Sequence, residues 1–107
     1  MSIFSLNLPA KEAFSVPSLF KIGEYIIYFW SNENNEPIHV HISKGRPTAN
    51  GTKIWLCANG SCIVAHNKSR IPAPVLNNMM DVIAAQFFMI CSKWKEFFRV
   101  DDVTFYC

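Results

Sequence analysis

His39 and His41 stand two positions apart inside "NEPIHVHI", residues 35–42, at the end of a polar stretch. In an extended segment side chains alternate, so both imidazoles project from one face, roughly 6.5–7 Å apart, while Ile38, Val40 and Ile42 share the other. Such a pair allows three chemistries. It can hold a transition metal if a third ligand joins it, and His66, Glu33 and Glu36 are the residues on offer. It can serve as general base and acid on a phosphodiester, which makes His39 and His41 the candidate catalytic residues. Or it can lie on the solvent side of a strand and contact an anion or a protein with no reaction at all. None of the three offered ligands has a spacing that singles it out, so no metal is assigned from the sequence.

Lys44, Arg46, Lys53, Lys68 and Arg70 are the only Lys, Arg, Asp or Glu residues between Pro37 and Met80. They are the candidate phosphate or RNA contacts. The flanks carry the other five basic and all eight acidic residues, leaving a net charge of only +2 for the whole chain. Charge is therefore segregated along the sequence, and its middle predicts a basic surface. Trp30 and Trp55, near that segment, are of the type that stacks on unpaired bases. A P-loop, a dinucleotide-binding glycine pattern, zinc-ribbon spacing and paired catalytic carboxylates are all missing, so no cofactor is expected.

The elements that must position these residues are legible in outline. With 107 residues, half of them hydrophobic, the chain is expected to fold around one core. Residues 1–16 have no clear period and read as an N-terminal arm or short extra turn; 17–107 read as a single α+β domain. "LFKIGEYIIYFW" bends at Gly23 and predicts a strand from about Glu24 to Trp30, apolar at every position from Tyr25 onward and hence central. A strand around His39 and His41 follows, then a basic turn. "KIWLCANGSCIVAH" predicts a hairpin with Asn59-Gly60 as a two-residue type I′ turn, pairing Cys57 with Cys62 and Trp55 with Val64. From Val75, apolar residues recur at three and four, with Pro74 near the first helical position, predicting one helix of about 24 residues and roughly 36 Å. "DDVTFYC" alternates as a final edge strand would. The expectation is a mostly antiparallel sheet of four or five strands with one long C-terminal helix on one face and the histidine face left open.

No uninterrupted apolar run reaches the roughly 20 residues of a membrane span, and "MSIFSLNLPAKEAF" lacks a basic stretch followed by an apolar one. A cytoplasmic location is expected, with Cys57, Cys62, Cys91 and Cys107 as thiols, the first three packed as small hydrophobes.

Pro17, Leu19, Lys21 and Ile22, the aromatic run Tyr25 to Trp30, the Glu36-Pro37 pair and the His39-Val40-His41-Ile42 segment together resemble domain of unknown function 4160, a family of small bacterial proteins with a Pro-x-His-x-His element. The likeness extends over about residues 17–106. A second proline of that element is Ile38 here, and an acidic-histidine pair ahead of it is replaced by Asn34 and Asn35. The resemblance implies one half of a two-gene, toxin-antitoxin-like module with a small cognate partner protein, acting on RNA or the translation machinery.

Overall fold

A computed structural model describes residues 17–107, and the arm expected over 1–16 lies outside them. The chain forms strands β1 (Ser18–Ile22), β2 (Tyr25–Tyr28), β3 (His39–Lys44), β4 (Thr52–Leu56) and β5 (Cys62–His66), then helices α1 (Ala73–Ala85) and α2 (Phe87–Phe98). The strands make one antiparallel meander in the order β1-β2-β3-β4-β5. The α+β class, the sheet and the interior position of β2 agree with the sequence reading. The fifth strand, however, is β1 at the start of the sheet rather than "DDVTFYC" at the end.

Two turns explain the register. Gly23, at φ +58°, is the first central residue of the β1–β2 connection and Glu24 is not in the positive-φ region, the pattern of a type II′ hairpin. In the β4–β5 hairpin Leu56 faces Cys62 and Trp55 faces Ile63, one residue away from the expected pairing. The cause is the loop. Only Gly60 has positive φ, whereas type I′ demands it of Asn59 as well. The Cys57 amide donates to Ser61 and the Gly60 amide to Cys57, closing a three-residue loop, with Asn59 Oδ1 accepting from the Ser61 amide.

Ile27, Phe29, Ile38, Val40, Ile42, Ile54 and Leu56 form the sheet side of the core, and Leu76, Met79, Ile83, Phe87, Ile90 and Trp94 the helix side. The single helix of the sequence reading is two, bent by 69° at Gln86. Five strands spaced about 4.8 Å span only roughly 20 Å, so a straight 24-residue rod would carry its last apolar turns past the sheet. The bend returns Phe87, Ile90, Cys91 and Trp94 to the same core. No single described helix is long and apolar enough to cross a membrane.

The last residues run extended without joining the sheet as a strand. The Ile38 amide donates to the Thr104 carbonyl and the Ala58 amide to the Cys107 carbonyl, both at 2.9 Å, and Val103 and Phe105 pack on the core. Cys57 forms a disulfide with Cys107, not the thiol pair with Cys62 expected from the hairpin, while Cys62 and Cys91 are free. The one-residue change of register is what moves Cys62 away from Cys57.

Candidate functional site

β3 alternates as expected: Val40 and Ile42 face the helices, while His39, His41 and Ser43 face away. Across the ladders His41 is level with Tyr28 and Lys53, and His39 with Trp55. The two histidines thus share a face, but that face is not open. His39 is 0% and His41 8% exposed, which overturns the expected solvent-side placement. The β2–β3 connection folds back over them, and the C-terminal segment stacks Tyr106 on Trp55 with ring centroids 4.8 Å apart. Trp94 reaches His39 from α2 at 5.5 Å.

The connection's contribution is Glu33. A turn from Trp30 to Glu33 lets the Trp30 amide donate to Glu33 Oε1 at 2.8 Å, turning the second carboxylate oxygen toward the imidazoles. Oε2 accepts from His41 Nε2 at 2.8 Å and lies 3.0 Å from His39 Nε2. Burial alone would raise the Glu33 carboxyl, but the two imidazoles and the Trp30 amide outweigh it and hold the group well below the usual carboxylate range. His39 Nδ1 lies 2.9 Å from the Pro37 carbonyl, which can only accept, so Nδ1 carries the proton. His39 Nε2, though close to Glu33, is misaligned for a hydrogen bond; among the described residues it is the buried side-chain polar atom left without a partner. The three donor atoms of Glu33, His39 and His41 lie within 4.8 Å of one another. Glu33 is thus the one of the three offered residues whose carboxylate reaches both histidines.

Tyr28 closes the flank of this cluster. Its ring stacks on His41 at 5.4 Å, and its hydroxyl hydrogen-bonds Ser43 Oγ at 2.8 Å and lies 3.0 Å from the Thr48 carbonyl. Burial, more than these bonds can offset, pushes the phenol up. Ser43 did not stand out in the sequence, and although alternation allows Tyr28 on the histidine face, a tyrosine in an apolar run gives no sign of its hydroxyl's partners.

The expected cation set divides. Lys53 is bound to Glu36 at 2.6 Å, with Nζ 4.3 Å from the Trp55 ring centroid. Already engaged, it is not a free phosphate contact, and Trp55 with Tyr106 on it is not a free stacking platform. Lys44, Arg46, Lys68 and Arg70 are exposed and lie at the same end of the sheet, the end at which β3 finishes and the segment after β5 meets the β3–β4 loop. Ser69 stitches the two loops: its hydroxyl donates to the Asn50 carbonyl at 2.8 Å and accepts from the Thr52 amide at 3.1 Å. Asn67 Oδ1 accepts from Thr52 Oγ1 and from the Ile71 amide, holding the second loop against β4. Glu24, 3.5 Å from Lys44, is the carboxylate paired at this end. His66, at the end of β5, is level with Lys53 and, one strand further, with His41; burial and then the charges of Lys68, His41 and Lys53 push its imidazole down.

As it stands, the cluster can bind a proton or a metal between imidazole and carboxylate. It cannot reach a phosphodiester in solution, because both Nε2 atoms are turned inward onto Glu33. The basic end, by contrast, is open to a large ligand. No curated protein and no solved structure shows a significant match to the chain. A family model described as domain of unknown function (DUF4160) matches residues 24–95, which include both the histidine cluster and the basic end, and the chain belongs to that family.

Proposed function

We propose that the protein is a toxin-antitoxin-like component that binds an RNA-like polyanion along the basic end of its sheet. The observation that carries this reading is the placement of exposed Lys44, Arg46, Lys68 and Arg70 at one end of the sheet, on two segments that Ser69 ties together. Four cations there stand against Glu24, while Glu33 and Glu36 are held at the other end of β3 by His41 and Lys53. A charged ligand meets a positive rim with little competing negative charge. The histidines are not part of the contact, and binding needs no catalytic step. The toxin-antitoxin role itself draws on the family likeness.

Binding of a single-stranded RNA oligomer across a salt series tests it. Each phosphate contact on a single strand contributes about −0.7 to the slope of log K against log salt, so four cations give a slope approaching −3. Arg46→Ala and Lys68→Ala should each flatten the slope by about 0.7, and Lys53→Ala should leave it unchanged. Salt-independent binding, or none, removes the reading. A toxin-type role further requires growth arrest on expression that Arg46→Ala relieves.

A second reading, a non-catalytic module for a small protein partner, has its own support in β5. This strand is an edge of the sheet, and Ile63 and Val64 on it are 42% and 41% exposed. A partner segment adding to that edge would cover both. Val64→Lys should then abolish partner binding and leave the RNA salt slope intact.

A further inference from the structure

We propose that Glu33, His39 and His41 form a binding site for one divalent first-row transition metal, with Glu33 Oε2 and the two Nε2 atoms as ligands, the proton that His41 Nε2 shares with Glu33 leaving as the ion binds. The inference is independent of the polyanion reading, which lies at the other end of β3 and uses none of these residues.

The proton inventory of His39 carries the argument furthest. Its Nδ1–H is committed to the Pro37 carbonyl at 2.9 Å. In the neutral ring Nε2 therefore bears a lone pair, and that lone pair faces Glu33 Oε2, itself electron-rich, at 3.0 Å. Two acceptors at that separation repel unless a second ring proton or a metal ion lies between them. The nitrogen is fully buried and has no hydrogen-bond partner, a state that ordinarily costs about 1–3 kcal/mol. A metal ion satisfies both demands at once: it takes the Nε2 lone pair and shields it from the carboxylate.

The surroundings have the form of a metal site's outer layer. Ligating histidines commonly donate their second N–H to a backbone carbonyl, which fixes the tautomer and aims the other nitrogen at the metal; ligating carboxylates are themselves hydrogen-bonded from behind. Pro37 does the first for His39, and the Trp30 amide does the second for Glu33 at 2.8 Å. Two imidazoles and a carboxylate match the donor preferences of zinc and iron(II), and a three-ligand set leaves a coordination position for water or another molecule. Entry is from the side of Glu33 and His41, whose side chains are 13% and 10% exposed. The local charge does not oppose it, since Lys53, level with His41 on β4, is neutralised by Glu36.

The test uses the full chain, stripped with chelator, folded by circular dichroism, and titrated with zinc(II) by calorimetry and with cobalt(II) by visible absorption. Wild type should take up one ion per chain and melt at a higher temperature with metal than without. Its cobalt spectrum should lack a thiolate charge-transfer band. Glu33→Gln and His41→Gln, which keep side-chain size, should fold and bind at least about tenfold more weakly, while His66→Gln should bind as wild type does. Any of three results would overturn the site: no uptake by folded wild type, uptake unchanged in both cluster variants, or a thiolate band assigning the ion to Cys62 or Cys91.

Discussion

Breaking the Cys57–Cys107 cross-link should weaken the fold through its unfolded state. The bond closes a loop with a sequence separation of 50. In the chain-entropy description, forbidding the unfolded chain to separate two points that far apart is worth about 4 kcal/mol at 25 °C. That is comparable to the whole stability of many small domains, and for a chain of this size corresponds to a melting temperature lower by on the order of 15 °C or more. Cys107→Ser is the better perturbation, because Cys107 is exposed whereas Cys57 is buried and would place a hydroxyl in the interior. Under oxidising conditions, urea midpoints should fall sharply from wild type to Cys107→Ser. The slope of free energy on urea should rise in the variant, since an uncrosslinked chain exposes more surface on unfolding. Wild type with reductant should converge on the variant, and denatured wild type without reductant should titrate two thiols rather than four. Four thiols, or equal midpoints for the oxidised wild type and the variant, would refute the cross-link and the magnitude with it.

Two further outcomes follow from packing and burial. A Cβ on Gly51 would come within contact distance of the Tyr28 hydroxyl, Ser43 Oγ at 2.9 Å and His41 Cβ at 3.2 Å, so Gly51→Ala should cost about 1–3 kcal/mol in denaturant melts; an unchanged midpoint would show that the Tyr28–Ser43 network is looser than the geometry implies. Burial pushes the Cys62 and Cys91 thiols up, with Asp81 adding to the first and Lys95 opposing at the second. Both should alkylate far more slowly at pH 8 in the folded protein than in denaturant. Because the unfolded chain gives up these protons first, their contribution to stability is intact below the ordinary thiol range and declines as pH rises through it.

Much of the frame was legible because it follows from local pattern. Alternation in Ile38 to Ile42 separated the core face from the histidine face, the polar run after Trp30 marked a turn, and Asn59-Gly60 marked the hairpin. What failed was set by the tertiary structure. Alternation says which residues share a face but not what lies over it, so His39 and His41 were expected in water although Glu33 and Trp94 cover them. The apolar stripe continues in phase through Gln86, so the bend that fits the helices to a narrow sheet leaves no mark in the periodicity. The hairpin's loop length turned on the backbone angle of Asn59, which the Asn-Gly pair does not fix. Four cysteines allow six single pairs, and spacing alone does not choose the one between Cys57 and Cys107.

These corrections change what the histidines can mean. An exposed pair beside a basic surface suggests proton transfer to a bound phosphodiester, with all the parts in one place. In the folded chain β3 separates them: His39 begins the strand and Lys44 ends it, so at the strand's rise His39 lies roughly 17 Å and His41 roughly 10 Å from Lys44. Both Nε2 atoms are also turned onto Glu33, so a phosphate held by Arg46 or Lys68 is out of reach of either imidazole. The cluster instead ties the β2–β3 connection to the sheet, drawing a carboxylate from eight residues upstream of His41 onto two rings at once. What occupies the space between Nε2 and Oε2, a proton or a metal ion, governs how firmly that connection is held. The histidines thus bear on the proposed polyanion surface only through the rigidity of β3, whose far end carries it.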